Sequence, residues 1–512
     1  MSQRRISFFV LKIALMLLLS VGLSRVVFLS VFMGDYYEGM AKGNMVRRVS
    51  ILPARGIITD RTGKSMALNI EVSGKTFRFY PYGEMLAGVT GYLSRASRED
   101  LEKCSKCSNE TLVGKSGLEK IYDNRLMGTW GEVLVEESAE GVNIKEISRI
   151  NPVFGENIKT NIDLDIQKSM FLSLKSMLNT TGKSASGVVA KINGEVLALV
   201  SLPSYDANLF INSGKRSDYG GEFKDVQSIV SDNDKKPLYN RVVSGQFAPG
   251  SVYKVLTALA GLSEGKITSE TIIEDTGEIK IGEYRFGNWF LDKYGKVEGA
   301  LDVEKALSRS NDIFFYKLGE MLGVESLVKW SETTGLGKKT GIDLPFEADG
   351  FVPTPYWREK YSGAKWFLGN TYHMSIGQGD LLVTPLQINR MTAAVISGEW
   401  CTPLLVGIKG CREVGITKKN IEVVKKGMEM TCREGGTAFP LFEYGGKIYC
   451  KTGTAQQGGE KDEPHAWISV VVPKGDDIKE WLVVTVLVEA GGEGSAVAGP
   501  VVKEMMPVLM KK

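Results

Sequence analysis

A serine and a lysine placed for acyl transfer occur as Ser251-Val-Tyr-Lys254, directly after Pro249-Gly250 and at the head of an apolar run ending near Leu262. On a helix, residues three apart share a face, so the lysine amine can reach the serine hydroxyl. A serine at a helix start also has backbone N–H groups and the positive end of the helix dipole beside any oxyanion it creates. Lysine serves as a base only if its pKa falls, through desolvation or a neighbouring cation. The spacing alone says little. Ser263, Ser326 and Ser362 also precede a lysine by three positions, and each reads as a solvated helix face.

Two further groups lift the Ser251 copy. Ser310-Asn311-Asp312 lies between two helical stretches, where a hydroxyl and a carboxylate can enter a cleft; Asp312 also reads as an N-cap for the helix that follows. Lys451-Thr452-Gly453-Thr454 follows the apolar Ile448-Tyr449-Cys450 and reads as the end of a strand. Lys-Ser/Thr-Gly triplets recur at Lys115 and Lys339, so it is the ordered set that is rare. The only histidines are His373 and His465, which removes most histidine-based catalysis and most metal sites. His465 reads as a structural strand-start residue and Cys450 as packing.

The elements that position these groups alternate in type. Gly187 to Ala190 and Val196 to Val200 flank Asn193-Gly194, a hairpin signal. Trp467 to Pro473 and Trp481 to Val488 read as two buried strands around a charged turn, and Val252–Leu262 and Ile313–Leu322 as helices. Strands at both ends with helices between predict a mixed α/β domain on an antiparallel sheet.

From Phe8 to Phe32 the chain is almost wholly apolar, long enough to cross a bilayer, and no small-residue cleavage site follows it. Arg4 and Arg5 precede it, placing the N-terminus in the cytoplasm and everything after Met33 outside. The six cysteines then lie where disulfides can form, with connectivity open. A net charge of +3, without a long basic run, argues against nucleic acid as a partner.

A serine–lysine tetrad, then Ser-x-Asn/Asp, then Lys-Thr-Gly is the set found in penicillin-binding proteins and class A β-lactamases. The chain resembles class B penicillin-binding proteins along nearly its whole length. Further boxes carry the resemblance: Arg55 to Arg61, Gly114 to Glu119, Pro203 to Asp206, Asn240-Arg241, Ser375 to Gly379, Thr384 to Gln387, and His465 to Trp467. Asp312 and the Trp366–Gln378 segment resemble the elongation type, penicillin-binding protein 2, more than the septal type.

The resemblance implies a peptidoglycan D,D-transpeptidase active in cell-wall elongation and acylated by penicillin. Alternatives are a septal transpeptidase, a β-lactamase-like hydrolase or a non-catalytic scaffold. It implies a penicillin-binding, serine-β-lactamase-like transpeptidase fold with a sheet flanked by helices, an N-terminal pedestal and one transmembrane helix. The expected division is 1–33 tip and anchor, 34–159 pedestal, and 160–512 transpeptidase domain. A chain starting after Asn161 is then expected to keep acylating.

The implied catalytic residues are Ser251, Lys254, Ser310, Asp312 and Lys451, with Thr452, Gly453 and Thr454 binding substrate. The N–H groups of Ser251 and Thr454 are the expected oxyanion hole. No cofactor is expected. Some elongation-type members hold zinc through His and Cys between the first two boxes, and this chain has neither there, so no metal is expected. The implied partners are stem peptides, β-lactams, the inner membrane, a multi-pass glycan polymerase and other elongation-complex membrane proteins.

Overall fold

A computed structural model describes residues 2–44, 46–104, 107–137, 143–181, 183–211, 215–457 and 462–511. The chain forms two compact units that interleave along the sequence: Met1–Arg55 with Met127–Gly155, and Gly56–Leu126 with Glu156–Lys512.

In the first unit the apolar run is helical, as its composition requires. Ile6–Phe32 is one helix with mean hydropathy 2.4 and no buried residues, long and apolar enough to cross a membrane. It fits a single-pass anchor. A three-stranded antiparallel sheet in the order Val46–Ile51, Gly131–Glu137, Asn143–Ile150 completes the unit. Val133 and Val135 turn to its covered face by the two-residue period of a strand.

The second unit is built on a five-stranded antiparallel sheet. Its order is Val196–Leu202, Ser184–Lys191, Leu482–Glu489, His465–Val472, Tyr449–Ala455. The Asn193-Gly194 hairpin joins the first two strands, and the two predicted buried strands pair with each other. Both faces of the sheet are covered, which is why these strands read as continuous apolar runs rather than alternating ones. Ile468, Val470 and Val472 join Val484, Val486 and Val488 in one core, with helices Leu164–Thr181 and Gly494–Leu509 packed there. Trp467, Val471, Val483 and Leu487 enter the other, against helices Lys254–Ser263 and Pro385–Ser397.

Residues 58–126 share the first core. Ile58, Met66, Tyr80, Leu86 and Val89 cluster with Val188, Leu199 and Val484. Strand Ile58–Thr59 pairs in parallel with Ile158–Lys159. Gln167 Nε2 donates to Met85 O at 2.8 Å, and Asn208 Nδ2 to Tyr80 O at 2.9 Å.

All six cysteines are paired: Cys104–Cys107, Cys401–Cys411 and Cys432–Cys450. Cys450 is therefore a cross-link as well as a packed residue.

Candidate active site

Ser251 sits in a tight turn rather than in the helix proper. Gly250–Tyr253 is a 3-10 turn that runs into helix Lys254–Ser263. Gly250 has φ 56°, and a Cβ there would lie 2.7 Å from Thr454 O, so only glycine lets the turn approach the catalytic strand this closely. Gly250 N donates to Gly377 O at 2.8 Å, which ties the turn to the Ser375–Gly379 box. Gly453 faces Pro249 O and Val252 N at 3.1 Å each from its would-be Cβ. The Lys-Thr-Gly strand and the nucleophile turn are thus in backbone contact.

Lys254 is wholly buried and its Nζ donates to Ser310 O at 2.8 Å and to Asp312 Oδ1 at 2.6 Å, rather than to the Ser251 hydroxyl. Lys451 is also wholly buried; its Nζ donates to Ser310 Oγ at 2.8 Å and to Thr452 O at 3.0 Å. Ser310 therefore stands between the two lysines, meeting one with its carbonyl and the other with its hydroxyl. It holds a left-handed conformation, φ 54°, at the break between helices Val303–Arg309 and Asp312–Thr333. For a non-glycine residue this is a strained state, sustained by what surrounds it.

Burial pushes the Lys254 ammonium below the usual lysine range, and the Asp312 carboxylate opposes it. Lys451 is pushed well below that range, by burial first and by the charge of Lys254 second. The sequence reading expected both desolvation and a second cation, Lys451, to lower Lys254. The larger cause for Lys254 is its burial, and the cation effect falls on Lys451.

Asp312 is not the N-cap. Asn311 takes that position, with Oδ1 accepting from Phe314 N at 2.9 Å, and Asp312 is the first helical residue. This frees the Asp312 carboxylate for Lys254 and for Trp289 N at 3.1 Å. The correction follows from chain geometry. Only the residue with extended φ/ψ immediately before the helix can turn its side chain back onto the first free N–H groups.

Behind Asp312 lies a polar cluster that the sequence did not mark. Asp275 Oδ2 accepts from Asn288 Nδ2 and Asn311 Nδ2 at 2.9 Å and from Glu298 N at 3.0 Å. Asn311 Nδ2 also meets Glu298 Oε2 at 3.0 Å, and Arg309 pairs with Glu298. The readable signal was the Asn311-Asp312 pair before the apolar Ile313-Phe-Phe run, a cap pattern that leaves open which of the two is the cap. Nothing local pointed to Asp275 or Glu298. Among the described residues, one group has metal-like spacing, Glu399, Cys401 and Cys411, and its two sulfurs are bonded to each other.

These elements enclose a cleft of about 1030 Å³ lined by Ser251, Ser310, Asp312, Thr452, Gly453 and Thr454 among others. Among the described residues its three carboxylates each hold a cation or guanidinium: Asp312 with Lys254, Asp292 with Arg285 at 2.5 Å, and Glu493 with Lys293 at 2.5 Å. His465 lies outside the lining and accepts from Ala490 N at 3.1 Å through Nδ1, a structural role. Of the three other serine–lysine tetrads, Ser326 donates to Glu264 at 2.8 Å, and none of the three serines lines the cleft.

Residues 185–507 match the family described as penicillin binding protein transpeptidase domain, and 69–160 match the penicillin-binding protein dimerisation domain. The chain is 30% identical over 506 residues to the peptidoglycan D,D-transpeptidase MrdA of Escherichia coli K12, covering 90% of this chain and 77% of that protein. It is 33% identical over 328 residues to MrdA of Acinetobacter baumannii, where the match spans 63% of this chain and 46% of the relative. Among solved structures, the Helicobacter pylori penicillin-binding protein 2 in complex with MreC has a TM-score of 0.78 at 25% identity, covering 91% of this chain and 99% of that one.

Proposed function

The chain belongs to the penicillin-binding protein transpeptidase family, and we propose that it is a peptidoglycan D,D-transpeptidase of the elongation type, working through an acyl-enzyme on Ser251. The observation that carries this is Ser310 held between two buried lysines of lowered pKa, in the cleft that holds Ser251. The similarity to MrdA and to a penicillin-binding protein 2 supports the elongation type over the septal one.

Ser251 attacks the carbonyl of a D-Ala-D-Ala stem. Lys254, neutral in a fraction favoured by burial, takes the hydroxyl proton. The N–H groups of Ser251 and Thr454 receive the oxyanion. Ser310 passes a proton toward the leaving D-alanine, with Lys451 on its hydroxyl and Asp312 orienting Lys254. Thr452, Gly453 and Thr454 form the edge along which the terminal carboxylate lies. An acceptor amine then resolves the ester. Among the described residues, every carboxylate lining the cleft is engaged by a basic side chain, which favours transfer over β-lactamase-like hydrolysis. We assign no cofactor or metal a role.

The apolar helix anchors the chain, and the proposed topology places the N-terminus in the cytoplasm and the transpeptidase domain outside. Arg4 and Arg5 support it, as does the pairing of all six cysteines. Residues 34–159 are the proposed pedestal that meets a glycan polymerase and other elongation proteins, and within them 58–126 also share the core of the transpeptidase sheet. That a penicillin-binding protein 2 was solved with MreC supports the second of these. Labelling the membrane-bound protein with a fluorescent penicillin and mapping the adduct tests the reading. An adduct on Ser251 is expected; an adduct elsewhere, or rapid turnover of the drug, overturns it.

A further inference from the structure

Cys450 immediately precedes Lys451 on the catalytic strand, and Cys432 closes helix Lys418–Thr431. The disulfide between them spans 18 positions, and both residues are wholly buried. The loop it closes belongs to the chemistry, since Gly436, Thr437 and Phe439 line the same cleft as Ser251.

Two further contacts tie the loop down. Arg309, next to Ser310, donates from Nη1 to Gly435 O at 2.6 Å. The hydroxyls of Thr437 and Thr452 lie 2.7 Å apart. The loop thus bridges the Ser310 turn and the Lys-Thr-Gly strand, with its two ends fixed by one covalent bond. Its stretch beside the cleft is Arg433-Glu-Gly-Gly436, exposed at three of these four positions. Two adjacent glycines carry no side chain that could anchor such a segment and leave its backbone broad freedom. Closure at the base limits that freedom.

A hydroxyl supplies one proton. In the pair as it stands, one threonine donates to the other. When an anion enters the cleft, both can turn their protons to it, so Thr437 offers a second donor where Thr452 alone would offer one. We infer that Thr437 is a further substrate-binding residue for the carboxylate of a donor stem or a penicillin, and that the Cys432–Cys450 disulfide is the positioning element that holds it against Thr452.

This inference rests on the transpeptidase reading, and its test separates the two. The full-length protein in detergent micelles is acylated with a fluorescent penicillin, and the apparent dissociation constant is measured apart from the limiting acylation rate. Loss of one hydrogen bond to a charged group predicts a roughly tenfold weaker constant for Thr437→Val, with the limiting rate little changed. Thr437→Ser restores binding. A penicillin methyl ester, lacking the carboxylate charge, binds both proteins alike.

The double variant Cys432→Ala/Cys450→Ala reproduces the Thr437→Val loss, and adding Thr437→Val to it weakens binding no further. The control Cys401→Ala/Cys411→Ala binds as wild type. A wild-type constant in Thr437→Val overturns the subsite. A disulfide variant that loses only thermal stability, or whose loss multiplies in full with Thr437→Val, overturns the positioning role. Should the disulfide variant fail to fold, the valine, serine and ester comparisons still decide the subsite. A wild-type protein that never labels at Ser251 defeats the transpeptidase reading instead.

Discussion

At the scale of single residues, the site depends on which group carries which proton. Ser251→Ala removes one oxygen from a turn that tolerates alanine. Penicillin labelling should vanish while the unfolding free energy stays within the range of an ordinary surface change, about 0.5 kcal/mol, in denaturant unfolding. Lys254→Arg keeps the charge but cannot release the proton at working pH, so its acylation rate should fall as far as that of Lys254→Ala. The pH profile follows from burial. The neutral amine is the active form, so acylation rises with pH as Lys254 loses its proton, and burial sets that rise below the usual lysine range. Asp312 stabilises the charged form and holds the rise higher than burial alone would. Asp312→Asn should therefore move the rising limb of the pH–rate profile to lower pH. A limb that stays in place would remove Asp312 from the control of the base.

At the scale of elements, two helices break at Ser310 so that a hydroxyl can face Lys451, and the break is held by Asn311. That side chain caps helix Asp312–Thr333 and donates to two largely buried carboxylates, Asp275 and Glu298. Asn311→Ala loses a cap worth about 1 kcal/mol and leaves charged acceptors short of a donor. A total loss of about 2–4 kcal/mol is expected in denaturant unfolding, with slower acylation because the Ser310 turn loosens. Gly250→Ala tests the opposite wall. Its left-handed backbone and the 2.7 Å approach to Thr454 O leave no room for a methyl group. The variant should label poorly even where it folds, because the nucleophile turn must move off the catalytic strand.

At the scale of the whole molecule, the chain can be cut in some places and not in others. Residues 58–126 supply part of the core under the five-stranded sheet and pair a strand with Ile158–Lys159. The structure thus speaks against the expectation that a chain starting after Asn161 keeps acylating. Such a chain would expose Val188, Leu199 and their neighbours and should recover as aggregate. A chain starting at Val46 loses only the apolar helix and the short helix after it. It should be soluble without detergent and label at a wild-type rate, as gel filtration with penicillin labelling would show.

The sequence by itself determined what depends on neighbours in the chain. The Asn193-Gly194 hairpin, the helix that follows Ser251, the apolar anchor and the order of the three catalytic groups all follow from local spacing and patterning. So does the largely apolar character of the two central strands, which marked them as buried. Only the tertiary structure decided that Asn311 rather than Asp312 caps its helix, because the two differ by a single backbone conformation that the sequence leaves open. The pairing of the cysteines and the meeting of Asp275, Glu298 and Asn311 also waited for it, as did the contact of Thr437 with Thr452. These depend on distances between segments that only packing brings together. The charge balance of the two lysines belongs there too. Sequence placed a second cation near the first, but how far each is removed from water is a property of the folded core, and that removal is the larger cause of both shifts.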